Sequence, residues 1–185
     1  MADVLARRRY EERWGSIMHV RTRRNSFAQL VGEHAVHMVD LTRARDTRSH
    51  MAVWGRVARV NAEWGGLMCC DAHPEDEEFA RVAHELVERY SDALGDYIVA
   101  RNAGEPLSRK WHRNVDELVA LEARFYAALA QLHTSEERSV MQRCWTAYTN
   151  AVVAAANAKG KDYDAAAHAL LAGQLLGEYL DRVVR

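Results

Sequence analysis

From Glu75 to Arg101 no proline interrupts the chain, and apolar residues recur three and four positions apart. They are Phe79, Val82, Ala83, Leu86, Val87, Tyr90, Leu94 and Tyr97. That spacing lines one face of an α-helix and does not suit a strand. The segment before it, Asp71-Ala-His-Pro-Glu-Asp-Glu-Glu78, carries start signals. Pro74 suits the first helical position, and the acids after it complement the positive end of the helix dipole. Asn102-Ala-Gly-Glu-Pro106 breaks the pattern. With Pro74 and Pro106 the only prolines, the rest of the chain is free of the strongest helix breaker.

The same pattern continues downstream. A helix is expected from about Ser108 to His133, with Trp111, Val115, Leu118, Leu121, Phe125, Leu129 and Leu132 as its stripe. Thr134-Ser-Glu-Glu137 is a capping box, in which hydroxyl and carboxylate each satisfy the other residue's backbone donor. The helix after it carries Val140, Met141, Cys144, Trp145, Tyr148 and Val152, and ends at Lys159-Gly160-Lys161. Asp162 caps a last helix, expected to turn Leu171, Leu175, Tyr179 and Val183 inward. Upstream, residues 3–14 read as helical, and residues 15–24 as a bent helix or connector. Asn25-Ser26 caps a helix to about Arg43, and Asp46-Thr47 caps another to about Met68. The fold expected is all-α: an antiparallel bundle of six or seven helices with no sheet, joined by short connections.

Its 185 residues suit one domain over 1–185, with a basic N-terminal part (1–70) and an acidic helical core (71–185). No apolar run approaches the ~20 residues that cross a bilayer, and no secretory leader is visible. Cys69, Cys70 and Cys144 are odd in number, and two are adjacent, so no disulfide framework is expected and a cytoplasmic location is.

Charge is unevenly placed. Residues 1–60 hold 12 arginines against 6 acids; residues 61–185 hold 13 Lys and Arg against 20 acids. Such asymmetry points to an anionic partner for the basic part. The arginines form groups: Arg7, Arg8, Arg9 and Arg13; Arg21, Arg23 and Arg24; and Arg45, Arg48, Arg56 and Arg59. If Arg45–Met68 is one helix, the last four fall within about 80° of each other on its wheel, opposite Val53, Trp54, Val57, Val60 and Trp64. A ridge of this kind neutralises phosphates without reading bases. A turn at Asp46–Ser49 would take Arg45 and Arg48 out of line. The ridge could also pair internally with the acids near Glu75–Glu78.

Glu33, His37 and Asp40 share a helix face and offer N/O ligands for a metal. His84 with Glu88, and His112 with Asp116, repeat the His–carboxylate spacing, which is commonly a surface ion pair. Cys70 and His73 lie near a helix start but lack the Cys-x-x-Cys of thiol oxidoreductases. No phosphate loop, dinucleotide fingerprint, nucleophile elbow or zinc-protease motif is present. No cofactor is expected.

Two families are similar in part. Leu121-Glu-Ala-Arg-Phe-Tyr-Ala-Ala-Leu129 resembles a segment of the helical effector domain of GntR-type regulators, with Glu122 and Tyr126 at that family's metal-binding Asp and His and Gln174 near another expected His. In size, helical character and arginine clusters the chain resembles the small subunit of class 1 CRISPR effector complexes. That resemblance implies a non-catalytic subunit binding nucleic-acid backbone, RNA or single-stranded DNA, beside other protein subunits. The expected function is therefore a backbone-binding subunit of a ribonucleoprotein. The alternatives are a metal- or ligand-binding bundle built on Glu33, His37 and Asp40, and a plain protein–protein adaptor that could self-associate.

Overall fold

The structure, a computed structural model, describes residues 26–70, 77–132 and 134–183. These form six helices: α1 (Phe27–Arg43), α2 (Thr47–Cys70), α3 (Glu77–Ala103), α4 (Arg109–Leu132), α5 (Ser135–Asn157) and α6 (Tyr163–Val183). No strand occurs among the described residues, so the all-α expectation holds. No described helix is long and apolar enough to cross a membrane. The helix expected over 3–14 and the start at Asp71–Pro74 lie outside the described residues.

Each cap legible in the sequence is made where it falls within the described residues. Ser26 Oγ accepts from Gln29 N at 3.1 Å. Asp46 Oδ1 accepts from Ser49 N at 2.8 Å, and Ser49 Oγ accepts from Asp46 N. Thr134 and Glu137 close the reciprocal box. Asp162 Oδ1 accepts from Asp164 N and Ala165 N. These bonds satisfy amide donors that a helix start leaves without an intrahelical partner. Past α5 the chain reverses through Lys159 and Gly160, both at positive φ (53° and 64°). Gly160 takes that conformation without steric cost.

Neighbours in sequence pack antiparallel. Along α1 and α2, Glu33 meets Arg59 and Asp40 meets Arg56. Between α2 and α3, Gly65 meets His84 and Gly95 meets Trp54. Alternation brings the C-termini of α1, α3 and α5 to one end. Helix α1 is central, packing on α2, α3, α5 and α6, whereas α4 touches chiefly α3. Trp64, Phe27, Leu30, Met38, Leu41, Ile98 and Leu176 are the largest fully buried side chains.

The inward face of α6 departs from expectation. Tyr179 is buried, but Leu171 and Leu175 are 54% and 50% exposed. Ala166, Ala169, Gly173, Leu176, Gly177 and Leu180 face inward instead. A Cβ on Gly177 would lie 2.5 Å from Ala28 Cα, and one on Gly173 would lie 2.6 Å from Ala35 Cβ. Small residues thus let α6 approach the α1 backbone, and that contact sets the rotation of α6. Asp181 locks it: its two carboxylate oxygens accept from Phe27 N (2.9 Å) and Ala28 N (3.0 Å), the open donors at the start of α1.

Candidate functional site

The two charged groups singled out in the sequence meet on one seam. Arg59 reaches Glu33 at 3.8 Å and Glu63 at 3.1 Å; Arg56 reaches Asp40 at 3.6 Å. Two of the proposed metal ligands, Glu33 and Asp40, and two of the proposed phosphate contacts, Arg59 and Arg56, are therefore each other's partners across α1 and α2. All these groups are partly solvated, so each pair contributes at most ~1 kcal/mol. The internal partners among the described residues are Glu33, Asp40 and Glu63; the acids near Glu75–Glu78 lie outside the side chains that the structure describes. His37 sits between the pairs. Burial, followed by the Arg56 charge, holds its imidazole below the ordinary histidine range, and its buried Nδ1 has no hydrogen-bond partner among the described residues. With both carboxylates held by guanidinium groups, Glu33, His37 and Asp40 do not form a ligand set. No cluster of three or more His, Cys, Asp or Glu among the described residues is arranged to hold a metal.

Arg45 leaves the ridge altogether. It lies between α1 and α2, because the Asp46–Ser49 cap starts α2 afresh at Thr47. Its guanidinium donates to Thr42 O (3.0 Å), to Asn102 Oδ1 (3.1 Å) and to Lys159 O. Asn102 in turn donates to Leu41 O and Ala44 O. One cation thereby bridges the C-terminal ends of α1, α3 and α5, where backbone carbonyls lack intrahelical donors and the dipoles are negative. Arg45→Lys is expected to lower the melting temperature by a few degrees, since an ammonium cannot copy the planar fork. An unchanged melting curve would show that the clamp is ornamental.

Around Arg45 this end of the bundle is cationic. The Arg43 side chain lies against Gly160. Arg101 Nε donates to Tyr97 Oη (3.1 Å), and Tyr97 Oη donates to Asn157 Oδ1 (2.7 Å). Lys159 and Lys161 lie in the turn after α5, and Arg48 in the first turn of α2. Arg43, Arg48, Lys159 and Lys161 are exposed, and none pairs with a carboxylate among the described residues. The nearby acids Asp46 and Asp162 are used as helix caps. Arg7, Arg8, Arg9, Arg13, Arg21, Arg23 and Arg24 lie outside the described residues. So does His73, while Cys144 is a half-buried free thiol packed against the core.

Sequence reasoning missed one arrangement. His34 is fully buried on α1, with Nδ1 2.5 Å from Tyr148 Oη on α5 and Nε2 2.9 Å from Ser91 Oγ on α3. Ser91 Oγ lies 2.8 Å from Val87 O and 3.4 Å from Asn61 Oδ1. One proton arrangement satisfies the chain: Tyr148 O–H donates to Nδ1, Nε2–H to Ser91, and Ser91 O–H to Val87 O. Burial pushes the imidazole down to about 4 and the phenol upward, so both are neutral at pH 7. The Trp64 ring meets His34 edge-on at 6.0 Å. Sealed from solvent, these groups pin three helices together and meet no substrate. The visible signal was a histidine within the apolar series Leu30, Val31, Ala35, Met38 and Leu41.

No protein-family model, characterised protein or solved structure matches the chain. The functional reading therefore rests on the chemistry of this surface.

Proposed function

We propose that the protein is a non-catalytic helical subunit that holds the phosphate backbone of RNA or single-stranded DNA within a larger ribonucleoprotein. The cationic end of the bundle carries this reading: Arg43, Arg48, Lys159 and Lys161 are exposed at the same end as the Arg45 clamp, without carboxylate partners among the described residues. Unpaired, exposed cations on rigid helix ends bind phosphates by releasing counterions, with no need for base contacts. Arg56 and Arg59 are secondary, because Asp40, Glu33 and Glu63 already neutralise them.

The test is fluorescence anisotropy with a labelled single-stranded oligonucleotide over a salt series. Replacing Arg48, Lys159 and Lys161 by Glu is expected to weaken binding at least roughly tenfold. It is also expected to flatten the log–log salt slope by about 2, at about 0.7 per phosphate contact. Replacing Arg56 and Arg59 by Gln is expected to change the slope far less. Binding that ignores the first variant, or no binding by the wild-type chain at low salt, refutes the reading.

A further inference from the structure

The surface that α6 turns away from the bundle has the pattern of a helix meant for another helix. Asp164, His168, Leu171, Leu175, Glu178 and Arg182 are all exposed. Their spacing alternates four and three, which keeps them in one line along the helix. The two leucines sit at the middle of the line, and charged or titratable residues sit at both ends. A hydrophobic seam of this period, bounded by charges, suits a packed helix pair and is misplaced on a solvated face.

The order of charges selects the occupant. When two copies of α6 cross antiparallel about a two-fold axis at Gly173, Leu171 of each copy faces Leu175 of the other. The same register sets His168 opposite Glu178 and Asp164 opposite Arg182, on both sides of the axis. Every layer is complementary, as an isologous contact requires. The parallel register instead sets each residue against itself, Asp164 on Asp164 and Arg182 on Arg182, which repels. Arg182 is available for the contact: its Nε donates to Glu178 O at 3.3 Å, and its guanidinium lies over the Tyr179 ring.

We infer that α6 is the interface of a homodimer, in which two copies pair antiparallel through Leu171 and Leu175 with Asp164–Arg182 pairs at both ends. With only two leucines per copy at its centre, the contact belongs to the small, reversible class of interfaces.

Sedimentation velocity on the full chain, from about 5 to about 500 μM, tests this. The wild type is expected to shift from monomer to dimer across the range. Leu171→Asp with Leu175→Asp is expected to weaken association by roughly tenfold or more. Asp164→Arg and Arg182→Asp are each expected to weaken it, and the double variant to restore it, since the swap re-forms both pairs. Circular dichroism and melting curves check that the variants fold. A wild type that stays monomeric overturns the inference, whether another protein or another segment of the chain covers the face. So does a dimer indifferent to the leucines, or a double variant that fails to recover.

Discussion

Gly177→Ala is expected to destabilise the protein, while Gly32→Ala stabilises it. Both glycines lie inside helices, and alanine improves helix propensity at either site by roughly 0.5–1 kcal/mol. The surroundings reverse the sign at one of them. Nothing lies within 4 Å of a Cβ on Gly32. A Cβ on Gly177 would stand 2.5 Å from Ala28 Cα, 2.6 Å from Phe27 O and 2.9 Å from Ala28 N. These are backbone atoms, which cannot rotate aside, so α6 must lift from α1. Lifting strains the Asp181 bonds to Phe27 N and Ala28 N and loosens Leu176 and Leu180. Overpacking of this kind costs about 1–3 kcal/mol. At roughly 2–4 °C per kcal/mol for a domain of this size, the melting midpoint should fall by up to about 10 °C. Thermal melts by circular dichroism give the answer. Equal stabilisation by both substitutions would show that α6 does not approach the α1 backbone at Gly177.

That contact marks where sequence reasoning stops. Periodicity located the last helix and its Asp162 cap, because both depend on residues within a few positions of each other. It then turned Leu171 and Leu175 inward, because leucine outweighs glycine on any hydrophobic scale. Which face is buried depends on how closely a neighbour can approach, and close approach selects Gly173, Gly177 and Ala169. The arginine ridge has the same origin. A wheel drawn through Arg45 assumes one helix, but Asp46 and Ser49 cap α2 after it. Arg45 then finds its partners on Asn102 and Lys159, far along the chain. The metal reading of Glu33, His37 and Asp40 saw one helix face correctly. What it lacked was the neighbour: α2 runs antiparallel and delivers Arg56 and Arg59 to the same seam.

The charge asymmetry between the two parts of the chain therefore divides into uses. Arg56 and Arg59 are neutralised where they stand, and Arg45 is engaged by helix carbonyls. Among the described residues, the proposed phosphate binding rests on Arg43 and Arg48 together with Lys159 and Lys161 from the acidic part. A boundary drawn at residue 70 separates residues that the fold brings together. The cationic end and the outer face of α6 meet at Tyr163, where α6 begins beside Lys161. Antiparallel pairing would set the cationic ends of two copies at opposite ends of the dimer.

Acid is expected to weaken the fold through His34. Its folded pKa, about 4, lies below the ordinary 6.5, because burial favours the neutral ring and His37 adds to the effect. Below pH 6.5 the unfolded chain therefore takes up a proton that the folded chain refuses until about pH 4. Stability falls as pH drops through that window and levels off beneath it. The depth is about 3 kcal/mol at 1.36 kcal/mol per unit. No carboxylate offsets it among the described groups that face the ring: Tyr148 from α5, Ser91 from α3 and Trp64 from α2. Comparison with His34→Gln isolates this contribution, since the remaining titratable groups are common to both proteins and largely cancel. Gln keeps a donor and an acceptor but does not titrate. By urea unfolding, the wild type is expected to lead the variant at pH 7.5 and to lose about 3 kcal/mol of that lead by pH 4. Tyr148→Phe probes the same bond from the other side. It leaves Nδ1 buried without a donor, at a cost of about 1–3 kcal/mol at pH 7. A stability difference between wild type and His34→Gln that is constant from pH 7.5 to 4 would mean that the imidazole titrates in the fold as it does in the unfolded chain, contrary to its packing against Trp64 and Tyr148.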